Sequence, residues 1–400
     1  LFLNTIDFSN YIYIYIYMAK SSATIYDIEM RQNPSAKGNF CDAILNSDLT
    51  KVTDLIEKVN VKTLNCNGTT PLIIASGNGH LPLVNFLLDN GAAINQARTT
   101  DGSTPLYAAS GNGHLPVVEA LLGKGAAINQ ARTDGSTPLI IASANGHLPL
   151  VNFLLDNGAA INQARTDDGS TPLYIATVLG RHPVVEALLG KGADPNKART
   201  DGSTPLYVAS QYEDLEIVEA LLDNNADPNM ATTDDGSTPL IMATRLGRHP
   251  VVEALLGKGA DPNKARTTDG ATPLYIASRY GELEVVKALL EKGADPNKAR
   301  TDTGETPIQV ATTTEITDLM REYNRRNIIK ATSGVLQSIT KDAELTLPQD
   351  LYDYMGKPGI DYGGRRRKTR KSRKSKKSKK SKKSKKSKKS MKSRKSMKRL

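Results

Sequence analysis

The dipeptide Thr-Pro recurs at Thr70, Thr104, Thr137, Thr171, Thr204, Thr238, Thr272 and Thr306, always 33 or 34 residues apart. A fixed period of that size argues against ordinary globular packing and for a solenoid, in which each unit buries its apolar face only by stacking on its neighbours. One unit, from Asp101, reads DGSTPLYAASGNGHLPVVEALLGKGAAINQART. Thr104 is placed to N-cap a helix whose first position is Pro105, where the missing N–H costs nothing and φ is already suitable. Leu106 and Ala109 share a face, the small Ala allowing close approach of the next unit, and Gly113 permits the left-handed turn that ends this short helix. Pro116 lies near the start of a second helix with Leu115, Val118, Leu121 and Leu122 at helical spacing, closed by Gly125. The segment AINQARTDG that follows has no helical periodicity, and its Asn, Asp and Gly suit a tight hairpin. The expected unit is helix, turn, helix and a projecting β-hairpin finger; the fold class is α, an α-solenoid.

The ends read as caps. Residues 39–66 carry Leu49, Val52, Leu55 and Ile56 at helical spacing but lack DGxTPL. The last unit, TPIQVATTTEITDLMREYNRR, loses the inter-helix Gly and carries Arg321, Glu322, Arg325 and Arg326. Polar outer faces are what terminal repeats require, and about nine repeats over residues 38–326 are expected. A longer period overlies the first: LPLVNFLLDNGAAINQART starts at Leu81 and Leu148, and RHPVVEALLGKGADPNKART at Arg181 and Arg248, both 67 residues apart. The array grew by duplication of repeat pairs on this reading, so identity between copies is no evidence of selection at each position.

Through DGxTPL, the Gly-His pairs at Gly79-His80, Gly113-His114 and Gly146-His147, and the closing GADPN at Gly192 to Asn196 and its copies, the chain resembles the ankyrin repeat family. One departure is systematic. The family usually has His after TPL, where it ties down the Thr, whereas this chain has Ile73, Tyr107, Ile140, Tyr174, Tyr207, Ile241 and Tyr275. Loss of that bond predicts lower stability than a consensus array. The resemblance implies a non-enzymatic scaffold that binds a protein partner on a concave face built from finger tips and first-helix positions.

No catalytic or cofactor signature competes with that reading. The Gly-Lys-Gly at Gly190 and Gly257 lacks the spacing and the Ser or Thr of a phosphate-binding loop. The five histidines recur with the repeat and call for no metal. Carried over by alignment, the residues before the inter-helix turn are small and polar in the first three TPL repeats, at Gly77-Asn78, Gly111-Asn112 and Ala144-Asn145. In the later repeats they include Leu179, Tyr212, Arg245, Leu246, Arg279 and Tyr280. Tyr and Arg are enriched in interface hot spots, which makes the C-terminal half the candidate binding surface. The competing structural reading is that Leu179 and Leu246 pack against neighbours. The fingers add Arg98, Arg132, Arg165, Arg199, Arg266 and Arg300, interrupted at Thr232, a row that fits either an acidic partner or a solvated surface beside its own aspartates.

Charge is segregated. Residues 365–400 hold 23 Lys or Arg and no acid, leaving 30 basic against 42 acidic residues elsewhere, a balance of −12. A tail of this composition cannot bury a core and is expected to be disordered when unbound. Arg365, Arg366, Arg367, Lys368, Arg370 and Lys371 are candidates for nucleic acid, another anionic surface or a nuclear import receptor. Serines at every third position, among them Ser372, Ser375 and Ser378, are phosphorylation candidates whose modification would offset that charge. Alternatively the tail folds back on the acidic body, or the SKK run is a DNA repeat expansion. Residues 327–363 read as a short helical linker, in which LTLPQDLYDYMGKPG is similar to the opening of F-box-like segments carried by some viral ankyrin proteins; a ubiquitin-ligase adaptor is thus a further alternative. Duplicated arrays with short basic tails look like those of large DNA viruses.

At the other end, NYIYIYIYMAK is what a TATATA run gives when translated; residues 1–17 are expected to be upstream DNA read in frame, with Met18 the start and residues 18–37 a flexible lead-in. Cys41 and Cys66 are too few for a disulfide framework and lack metal-ligand spacing. They read as small core residues of an intracellular, cytoplasmic or nuclear protein. A monomer with no membrane association is expected.

Overall fold

The computed structural model describes residues 38–56, 65–212 and 214–342. The expectations for Met18, for the LTLPQD segment and for the basic tail with its serines lie outside them. The chain divides into two units, residues 1–330 and 331–400; the described part of the second, residues 331–342, is helical.

Among the described residues eighteen helices form nine consecutive pairs. They begin with α1 (Gly38–Leu45), α2 (Leu49–Ile56), α3 (Pro71–Gly77), α4 (Leu81–Asp89), α5 (Pro105–Gly111) and α6 (Leu115–Gly123). Then come α7 (Pro138–Asn145), α8 (Leu148–Asp156), α9 (Pro172–Val178), α10 (His182–Gly190), α11 (Pro205–Tyr212) and α12 (Leu215–Asp223). The series closes with α13 (Pro239–Arg245), α14 (His249–Gly257), α15 (Pro273–Tyr280), α16 (Leu283–Glu291), α17 (Pro307–Val310) and α18 (Thr314–Asp342). First helices stack on first helices and second on second, α11 against α13 and α13 against α15, for example.

The Thr-Pro signal starts each first helix as expected. From Thr70 to Thr272 the Thr hydroxyl oxygen accepts the backbone N–H three residues on, at 3.1–3.2 Å, supplying one of the helix's orphan donors with a partner. At the last repeat Gln309 Oε1 accepts from both the Thr306 N–H (2.8 Å) and its hydroxyl (3.0 Å). The Ala four residues after each Pro, from Ala75 to Ala277, is fully buried, which lets successive first helices approach closely. Leu106, Val118 and Leu121 and their equivalents form one continuous core through the array, closed at the C-terminal end by Ile316 and Met320 of α18.

The closing Asn of each repeat is a linking device. Asn95, Asn129, Asn162, Asn196, Asn229 and Asn263 each accept, through Oδ1, the backbone N–H of the residue after the Gly-Ala (or Asn-Ala) step in the next repeat, at 2.7–2.9 Å. The fingers project as turns and pair no strands among the described residues, where the single β-bridge joins Cys66 and Thr69. The finger at Arg199 closes on two backbone bonds, Arg199 N–H to Ser203 O and Gly202 N–H to Arg199 O (both 3.0 Å), and is tied to the finger before it by Thr200 N–H to Asp168 O (3.0 Å). The stacking is close: at Gly202 (φ +79°) a Cβ would stand 2.7 Å from the backbone nitrogen of Thr233.

The cysteines require a correction. Cys41 on α1 and Cys66 in the loop ahead of α3 form a disulfide, Cα–Cα 5.9 Å, and are buried but not free core residues. Their spacing carried no signal because the fold of the first repeat is what brings residues 25 apart together. The cross-link ties the divergent first repeat, which lacks Thr-Pro, to the array. The intracellular setting drawn from the cysteines loses its premise.

Candidate protein-interaction surface

Tyr212 ends α11, Leu246 immediately follows α13 and Tyr280 ends α15, each 34 residues from the next and at equivalent positions of stacked helices. They are 39%, 41% and 57% exposed, three of the five large hydrophobic side chains that stand exposed among the described residues. Arg245 and Arg279 beside them are also exposed, Arg245 Nη2 lying 3.1 Å from Met242 Sδ. Leu179, at the same position one repeat earlier, is half-buried against Ile175 and its neighbours Ile140 and Ala144. The packing alternative thus describes Leu179 but not Leu246.

The equivalent positions in the N-terminal half are occupied differently. Asn112 Nδ2 donates to the Gly77 carbonyl and Asn145 Nδ2 to the Gly111 carbonyl, both at 2.7 Å. His114 and His147 place Nε2 3.0 and 3.1 Å from the same two carbonyls, which needs the Nε2–H tautomer. Those side chains lock one repeat to the preceding one. Leu179, Tyr212, Leu246 and Tyr280 have no side-chain amide to make that bond, and from Tyr212 onward the position turns apolar surface outward.

The arginine row is built into the stack. From Arg132 onward each guanidinium lies between aspartates of consecutive fingers: Arg132 with Asp101 (3.1 Å) and Asp134 (3.8 Å), Arg199 with Asp168 (3.4 Å) and Asp201 (3.2 Å), Arg300 with Asp269 (3.0 Å) and Asp302 (2.6 Å). Arg165 bridges Asp134 and Asp167, Arg266 pairs with Asp235 and Asp269, and Arg98 with Asp101. Where the preceding TPL is followed by Tyr, the guanidinium also covers the ring: Arg132 over Tyr107 (5.2 Å), Arg199 over Tyr174 (5.4 Å) and Arg300 over Tyr275 (5.1 Å). Burial raises the Tyr174 phenol to about 12 even though Arg199 acts in the opposite direction. For Asp269 burial by itself would raise the carboxyl, but hydrogen bonds from Arg266 and the Ala271 N–H, with the charges of Arg266 and Arg300, hold it below the usual carboxylate range. The residue read in the sequence as a lost Thr–His bond is therefore engaged elsewhere, and its signal was present: Tyr107–Arg132, Tyr174–Arg199 and Tyr275–Arg300 are all 25 residues apart.

Stacked helix pairs with finger turns, Thr-Pro caps and an Asn lattice define an ankyrin repeat array. The family model described as "Ankyrin repeats (3 copies)" matches residues 40–132, 125–199 and 183–266, and "Ankyrin repeat" matches residues 269–302. The chain belongs to the ankyrin repeat family. No curated protein matches it. Among solved structures it is similar to the crystal structure of the human ASB11 ankyrin repeat domain, at 26% identity over 55% of this chain and 98% of that one, with a TM-score of 0.46. Ankyrin repeats are generally protein-interaction scaffolds and typically not enzymes. No helix among the described residues is long and apolar enough to cross a membrane.

Proposed function

We propose that this chain is a non-enzymatic scaffold that binds a protein partner through the face carrying Tyr212, Leu246 and Tyr280, flanked by Arg245 and Arg279. The observation that carries the reading is the release of this position from the inter-repeat lattice in the C-terminal half, with three large apolar side chains exposed in register. Aromatic and Arg side chains of this kind anchor interfaces when a partner dehydrates them. The finger arginines are supporting structure in this reading, because their charges are met by aspartates of the array.

A second role belongs to the basic segment. The concentration of 23 Lys or Arg in residues 365–400 favours sequence-independent association with nucleic acid or another anionic surface, begun by Arg365, Arg366, Arg367, Lys368, Arg370 and Lys371. Deleting residues 364–400 separates the two roles. Retention on DNA or RNA should vanish while protein capture by the array persists; loss of protein capture as well would make the tail the main binding element.

A further inference from the structure

One finger in the row lacks its arginine. Six fingers begin on Arg; the seventh begins on Thr232. Two of the backbone bonds there are kept: Thr232 N–H donates to Ser237 O at 3.0 Å and Thr233 N–H to Asp201 O at 2.9 Å, as at Arg199 and Thr200, while the turn bond that Gly202 N–H makes to Arg199 O has no counterpart from Gly236. The Thr232 hydroxyl turns onto its own finger, donating to Asp235 Oδ1 at 2.9 Å and accepting from the Ser237 N–H at 3.1 Å. Nothing of Thr232 reaches where a guanidinium would lie.

The consequences show on both sides of the gap. Tyr207, 25 residues earlier, is partly exposed, whereas Tyr107, Tyr174 and Tyr275 under their arginines are 7%, 6% and 2% exposed. Asp201, the carboxylate on the preceding finger, has 44% of its side chain exposed, against 13–31% for Asp101, Asp134, Asp168, Asp235 and Asp269.

We propose that this unfilled rung is a binding site for the guanidinium of an arginine presented by a partner polypeptide, with the Tyr207 ring as its stacking floor and Asp201 and Asp234 as its carboxylates. The class of ligand is set by the other rungs, which hold a guanidinium between the same finger positions; at three of them it lies over a tyrosine. Asp201 already pairs with Arg199 at 3.2 Å, but sharing is the rule in this row: Asp101 serves Arg98 (3.3 Å) and Arg132 (3.1 Å). The surroundings are acidic on balance. After burial, the strongest influences on the Tyr207 phenol are one cation, Arg245, and then three carboxylates, Asp235, Asp234 and Asp201. A planar guanidinium both stacks and bonds bidentately, which a lysine ammonium does not. Tyr207 and Tyr212 share α11, so the rung adjoins the proposed face and names a chemistry for its partner: arginine beside apolar side chains. In that respect the inference rests on the partner-binding reading.

The site is testable without the partner. The full chain is titrated with N-acetyl-arginine methylamide while the Tyr207 ring resonances are followed by NMR. A saturable shift in the millimolar range is expected, about tenfold weaker for the lysine analogue and absent in Thr232→Arg, whose own side chain fills the rung and should raise the denaturation midpoint. Asp201→Asn, which adds no bulk, should weaken binding should the arginine variant fold poorly. No shift, an equal response to the lysine analogue, or undiminished binding in the variants overturns the proposal. Leu246→Ala and Tyr280→Ala leave the rung intact and test the partner face separately, so either idea can fail alone.

Discussion

Arg300 lies 5.1 Å above the Tyr275 ring, donates to its hydroxyl at 3.3 Å and bridges Asp269 on the finger before. One side chain thus joins a helix and two fingers at the C-terminal end of the array. Arg300→Ala removes the stack and leaves Asp269 facing Arg266 alone. A loss of about 1–3 kcal/mol is expected, with Arg300→Lys recovering less than half, read from the denaturant midpoint.

The Asn lattice and the surface ion pairs make a contrast. Asn263 accepts from the Asp295 N–H (2.8 Å) and donates to the Gly293 carbonyl (3.0 Å), two bonds across one repeat boundary. Asn263→Ala should cost about 1–2 kcal/mol. Lys258, whose pair with Asp223 is largely exposed at 2.7 Å, should cost at most about 0.5 kcal/mol when changed to Ala. Equal costs in the same denaturation assay would contradict the view that the Asn bonds set the stacking.

Reduction of the Cys41–Cys66 disulfide should act locally. By loop-closure entropy a bridge over 25 residues is worth about 3 kcal/mol. Stability in a repeat array is a sum of unit and neighbour terms, so the loss should fall on the first repeats. Hydrogen exchange after reduction is expected to accelerate in residues 38–56 and to be unchanged in α13 to α16.

Acid should weaken the fingers, and neutral pH should not. Asp168, Asp235 and Asp269 are each raised by burial but lowered further by hydrogen bonds and neighbouring arginines, ending below the ordinary 3.8. A depressed folded-state carboxyl contributes stability that is present above the unfolded pKa and is lost as pH falls through the folded one. The denaturation midpoint should hardly change between about pH 5 and 7 and fall below about pH 4. The reverse trend would rule out this account of the row.

Much of this architecture is legible in the sequence. Thr104, Pro105, Ala109 and Gly113 act locally, so their roles follow from helix chemistry alone. Tyr212, Leu246 and Tyr280 were visible as a break from Asn, yet only stacking reveals that Asn112 and Asn145 are bonded to the preceding repeat and that Leu179 is half-buried. The disulfide and the Arg–Tyr rungs depend on approach between segments 25 residues apart; the Tyr–Arg spacing recurs in the sequence, whereas the single Cys pair has no copy to reveal it.

The central claim is that the exposed C-terminal face binds a protein partner. Its most direct measurement is quantitative affinity capture comparing the full chain with Tyr212→Ala/Leu246→Ala/Tyr280→Ala, using Lys258→Ala as a surface control. The account predicts a triple variant with an unchanged denaturation midpoint that loses proteins retained by both the wild type and the control. An identical set of captured proteins on all three chains would contradict it.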